Sequence, residues 1–84
     1  MGRKEKLIRK LKSNPRDLTF EEAESLLVYL NFYRSDKGRT SGSRVIFASV
    51  EHGIILLHRP HPRKELLEYQ IKQLREKLES EGLI

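Results

Sequence analysis

The stretch "SRVIFASVEHGIILLHR", residues 43–59, constrains the fold most strongly. Residues 43–50 are rich in β-branched and aromatic side chains. Residues 54–59 form a second apolar run. "EHG" at 51–53 is too short for anything but a tight turn. Two such runs joined by a Gly-containing turn read as an antiparallel hairpin. A hairpin alone is marginal in water and needs a third strand or a helix packed on one face. Both are within reach. "FYRS" at 32–35 reads as a short strand, joined to the hairpin by the loop "DKGRTSG", so the middle of the chain is expected to be a three-stranded meander.

The flanking segments supply helices. "LTFEEAESLLVYLNF" carries Phe20, Ala23, Leu26, Leu27 and Leu30 at helical spacing. Thr19 can cap that helix and Glu22 can reach back, which is a capping box. Asn31 is the expected stop. Upstream, "KEKLIRKLK" at 4–12 can form a short helix with Leu7, Ile8 and Leu11 on one face; "SNP" at 13–15 ends it, because Pro15 disfavours helix in the residue before it. Downstream, "PHP" at 60–62 ends the sheet. Pro62 is expected in the first turn of a last helix, with Leu67, Ile71, Leu74 and Leu78 as its apolar stripe and Gly82 as its C-cap. That helix is barely two to three heptads long, so packing on the sheet is favoured over a coiled coil. The order α-α-β-β-β-α implies an α+β fold, a small two-layer sandwich with helices on one face of a three-stranded antiparallel sheet and the other face open. Residues 1–16 read as a basic N-terminal extension and residues 17–84 as the domain proper.

With 84 residues, a single small domain is expected. There are no cysteines, which rules out a disulfide framework or a zinc–thiolate site and fits a reducing cytoplasm. No apolar run reaches the ~20 residues of a membrane span, and the basic N-terminus lacks the apolar region of a secretory signal. The net charge of +5 is segregated. Residues 1–16 hold seven Lys/Arg against one Glu, and residues 31–64 hold seven against two acids. Residues 17–30 hold four acids and no base. Positive charge concentrated in this way suits a polyanion such as nucleic acid, although a solvated surface reads the same way. No helix is basic enough to suggest a major-groove DNA reader. A compact basic α+β domain suits A-form RNA, which is read through shape, phosphates and 2′-hydroxyls.

An amphipathic helix, a strand, a Gly/Ser loop leading into "RVIF", a third strand ending in "LHRPHP" and a helix ending in "EGLI" together resemble the HicA toxin family. The resemblance runs from roughly Thr19 to Ile84. It implies a fold similar to the double-stranded RNA-binding domain, a cytoplasmic bacterial mRNA interferase of a type II toxin–antitoxin system, no cofactor, and a HicB-like antitoxin as partner. The family's Gly-Ser-His core falls on Gly42, Ser43 and Arg44, so its catalytic histidine is an arginine here. Pro60 and His61 match the Pro and His that precede the family's last helix.

Metal-free RNA cleavage needs a base, an acid and positive charge for the phosphorane. Histidine suits the first two roles. Arginine suits the third and stays protonated, so Arg44 can hold phosphate but cannot act as base. Three histidines remain, His52, His58 and His61. His52 reads as an exposed turn residue. The antiparallel hairpin brings the end of its second strand near the start of its first, so His58 and His61 are expected with Arg44 and Arg59 on one edge. They form a candidate relocated catalytic pair, or else a set of phosphate contacts. As a metal site the two histidines are weak, for want of an acidic partner. In the loop, Gly38, Ser41, Gly42 and Ser43 let backbone amides approach a phosphate, and Lys37, Arg39 and Arg44 add charge; a simple connecting loop is the alternative. Arg63 adds a further cation. Tyr33 is the stacking candidate for a base, on the opposite face from Phe32, which is expected in the core. Tyr29 and Tyr69 read as helix-packing residues. An RNA-binding module without catalysis, or a small protein-interaction domain, remains the rival reading.

Overall fold

The computed structural model describes residues 2–35, 44–60 and 62–84. Its elements are α1 (Arg3–Lys12), α2 (Phe20–Tyr29), β1 (Tyr33–Ser35), β2 (Arg44–Ser49), β3 (Gly53–His58) and α3 (Glu68–Ser80). The sheet is antiparallel in the order β1-β2-β3. The α+β order read from the sequence is the one observed. Side chains alternate along β2 and β3. Val45, Phe47, Ile55 and Leu57 face the helices and are buried, while Arg44, Ile46, Leu56 and His58 lie on the other face.

Local signals account for the helix ends. Thr19 Oγ1 accepts the Glu22 amide at 3.1 Å, and the Glu22 carboxylate accepts the Thr19 amide at 3.0 Å, which completes the capping box. At its other end Asn31 takes a left-handed φ of 70°. The Asn31 amide then donates to the Val28 carbonyl at 3.1 Å, and the Phe32 amide to the Leu27 carbonyl at 2.9 Å. This paired closure returns the chain directly into β1. Gly82, with φ 71°, ends α3 in the same way: its amide donates to Glu79 and that of Leu83 to Leu78.

α1 is joined to the core. Leu7 and Leu11 are buried and Ile8 packs against the same cluster. α1 lies against α2 and α3. Lys10 Nζ reaches both carboxylate oxygens of Glu22 at 2.9 Å, so the group that closes the α2 cap also holds α1. Burial pushes the Glu22 carboxyl up, but hydrogen bonds from Lys10 and the Thr19 amide outweigh it and leave the group below its ordinary range. The bond to Glu22 raises Lys10 in turn.

The last helix departs from expectation. Pro62 does not open it; α3 begins at Glu68. The intervening chain bends at Pro62 and Lys64 and then pairs with the residues before α2. Thr19 and Glu65 form an antiparallel bridge. The Phe20 amide donates to the Lys64 carbonyl at 3.1 Å and the Leu66 amide to the Leu18 carbonyl at 2.8 Å. This pairing turns Leu66 into the core and leaves Leu67 partly exposed at the helix start, so the buried stripe of α3 is Ile71, Leu74 and Leu78. Tyr29 and Tyr69, expected in helix packing, are both exposed.

Candidate functional site

The register of the hairpin sets the geometry. Val45 and Phe47 on β2, and Ile55 and Leu57 on β3, must all face the helices. That choice puts Arg44 directly opposite His58 on the open face. Directly opposed residues in an antiparallel pair have Cβ atoms roughly 4.5–5.5 Å apart. Tyr33 pairs with Ala48, which pairs with Ile54, so the tyrosine lies on this same face, 56% exposed. Open-face residues thus run from Tyr33 through Ile46 and Leu56 to Arg44 and His58. His58 is half-buried. It also borders a groove of about 320 Å³ between β3 and α3, with Tyr69, Gln70 and Lys77 on the far wall.

Arg59 goes elsewhere. It follows His58, so alternation turns it to the helix side, where its guanidinium lies 4.9 Å from the centre of the Phe20 ring. There it borders a second cleft, of about 400 Å³, with Arg63 and Lys64 and with Glu21 and Glu24 of α2. Arg63 Nε donates to the Glu65 carbonyl at 3.1 Å. The single basic edge expected from the sequence is therefore split, with Arg44 and His58 on the open face and Arg59 and Arg63 around the start of α2. Lys64 joins the second group, presented by the non-helical 62–67 segment where the sequence pattern predicts helix. Lys37, Arg39, Gly42, Ser43 and His61 lie outside the described residues, as do Gly38 and Ser41.

His52 is a correction. It is not an exposed turn residue: its side chain is only 19% exposed. Its ring stacks on Phe32 with centroids 6.1 Å apart, and its Nδ1 lies 3.1 Å from Glu81 Oε1. The turn folds this way because Ser49 Oγ accepts the amides of Glu51 and His52 and Gly53 takes a φ of 78°. The hairpin tip is thereby fastened to the end of α3, and His52 belongs to the scaffold.

Among the described residues no cluster of three His, Cys, Asp or Glu is arranged to hold a metal ion, and no helix is long and apolar enough to cross a membrane. A three-stranded antiparallel sheet backed by helices, with Arg44 on its open face and Arg59, Arg63 and Lys64 at one end, defines a small α+β domain. A family model described as the HicA toxin of bacterial toxin–antitoxin systems matches residues 20–79, from the start of α2 nearly to the end of α3. The chain belongs to that HicA toxin family, whose members pair with an antitoxin. The matched stretch begins after α1. No curated protein and no solved structure matches the chain.

Proposed function

We propose that this toxin binds mRNA and cleaves it without a metal, and that a HicB-like antitoxin neutralises it. The observation that carries the reading is the cross-strand pair of Arg44 and His58. The family position for histidine is occupied by arginine, and the one imidazole on the neighbouring strand stands opposite it.

The chemistry divides between them. The His58 imidazole takes the proton of the ribose 2′-hydroxyl. The 2′-oxygen attacks the adjacent phosphorus as the bond from phosphorus to the 5′-oxygen breaks. His61, three residues on in the chain, returns a proton to that leaving oxygen. The products are a 2′,3′-cyclic phosphate and a free 5′-hydroxyl, so atoms balance without a co-reactant. The Arg44 guanidinium offsets the charge that builds on the phosphorane, a role it fills while always protonated. Tyr33 stacks on a base, while Arg59 and Arg63, with Lys37, Arg39, Gly42 and Ser43 of the loop, contact phosphates.

The test is to incubate the purified protein with a long single-stranded RNA in EDTA, beside a His58→Ala/His61→Ala variant whose fold is checked by circular dichroism. Cleavage by the parent and not by the variant supports the reading. Intact RNA that is retarded on a gel, with retardation that weakens as salt rises, leaves an RNA-binding module and removes the nuclease. Arg44 in place of histidine is the feature that favours that second outcome.

A further inference from the structure

The two edges of the sheet are unlike. Edge strands expose unpaired amides and carbonyls, and proteins blunt them with shortness, charge or proline. β1 is three residues long and carries Arg34, which pairs with Glu24 at 3.6 Å. β3 has six residues, Gly-Ile-Ile-Leu-Leu-His, with no proline and no Lys, Arg, Asp or Glu. Among the described residues, no backbone hydrogen bond outside the β2–β3 ladder reaches it. Its outer side faces the groove shared with α3. Gln70 on the far wall is 5% exposed. Its Nε2 donates to Tyr69 Oη at 3.3 Å, but its buried Oε1 has no partner. An unsatisfied buried acceptor beside an unpaired strand edge is a place for an incoming N–H donor.

We propose that the β3–α3 groove accepts an extended segment of a partner protein as a fourth strand, with alternating apolar side chains and a carboxylate directed at Lys77. Main-chain bonds to β3 supply the pairing and alternate side chains enter the groove. Charge selects the occupant. Among the described residues, Lys77 is the one Lys or Arg lining the groove, which holds no acidic side chain; its Nζ lies 3.9 Å from Glu81 Oε2, in a loose pair that an incoming carboxylate can join. A second copy of this chain would present the uncharged strand Gly53–His58 and another Lys77, and would bring together two chains of net charge +5. An acidic-ended strand meets neither objection. In a toxin–antitoxin pair the antitoxin supplies it; that identity of the partner, and the closing of the site at His58, rest on the proposed function. A strand laid there also covers one side of His58, so the same contact would close the site.

The experiment uses the full chain and a synthetic peptide of alternating valine and threonine with a glutamate at each end. Binding is read by fluorescence anisotropy, and amide shift changes by NMR. Saturable binding is expected, with shifts confined to Gly53–His58 and the facing turns of α3. Methylating alternate peptide amides on the pairing side should abolish it, and Lys77→Glu should weaken it by roughly three- to tenfold, the range of one exposed ion pair reversed. Several results would overturn the proposal: no saturable binding at millimolar peptide, shifts on the open face instead, equal binding of the methylated peptide, or a dimer of the free chain joined through β3. No RNA enters this assay, so its failure and a failure of cleavage are separate results.

Discussion

The contact between Lys10 and Glu22 joins a helix that precedes the family-matched stretch to one that opens it, and its strength can be measured. Lys10 Nζ lies 2.9 Å from each Glu22 oxygen, with Asp17 further off at 3.7 Å. The two side chains are 29% and 26% exposed. That lies between an open surface pair, worth about 0.2–1 kcal/mol, and a buried one, whose disruption costs about 3–5 kcal/mol. A coupling of about 1–2 kcal/mol follows. Glu22→Gln removes the charge while keeping an oxygen for the Thr19 amide, and Lys10→Met removes the donor while keeping the stem. Urea unfolding of both singles and the double at pH 7 gives the coupling from the cycle, provided the slopes agree. Glu22→Ala should cost about 1 kcal/mol more than Glu22→Gln, because half the capping box goes as well. The pH dependence has a definite sign. Glu22 is depressed in the folded protein, so its contribution is complete above the unfolded carboxyl value of about 4.3 and is lost as pH falls through the folded one. Lys10 is raised; its contribution is complete below the unfolded value of about 10.4 and is lost as pH rises through the folded one. A coupling below about 0.3 kcal/mol, within the usual error of additivity, or an acid loss unchanged in Glu22→Gln, would refute this account of how α1 is held.

Two further perturbations test the scaffold. Leu11, on the inner side of α1, is fully buried, so Leu11→Ala should cost about 2–5 kcal/mol in the same urea assay, a large part of the stability of so small a chain. Asn31 closes α2 at φ 70°; Asn31→Gly should leave the melting temperature nearly unchanged, while Asn31→Val should lower stability by about 1–2 kcal/mol, because a β-branched side chain clashes in the left-handed region.

Periodicity and capping chemistry made most of the fold legible. The capping box at Thr19 and Glu22, the stop at Asn31 and the hairpin around Gly53 are local codes, each needing only neighbours in sequence. The start of α3 was not legible, because it depends on a bridge between Thr19 and Glu65, forty-six residues apart. Pro62 is a sound first-turn residue, but nothing near it reveals that Leu66 is required in the core. His52 failed for the same reason: its partners Phe32 and Glu81 are distant in the chain. In the candidate site, the opposition of Arg44 and His58 followed from hairpin register alone. Arg59 was expected on that same edge; strand alternation turns it to the helix side, over a phenylalanine placed by tertiary packing. The edge position of β3 follows from the expected meander, but the unpartnered Gln70 oxygen had no sequence signal, because it depends on tertiary packing.

The arrangement of the open face is inherited from the closed one. A one-residue slip of β3 against β2 would send Ile55 and Leu57 to solvent and bring Leu56 and His58 inside. Ile54 would enter with Leu56, so the apolar exchange is nearly even; what opposes the slip is the inward move of the His58 imidazole, a polar group that would need a buried partner. The tip of the hairpin adds a second lock, because the Ser49 hydroxyl fixes the turn and His52 anchors it against Phe32 and Glu81. At the opposite end Arg59 rests on Phe20. The hairpin is thus held at both ends by residues that face the helices, and Arg44 and His58 stand opposite one another on the other face. The apolar residues that fix the register and the polar pair it presents thus lie on opposite faces of the same two strands.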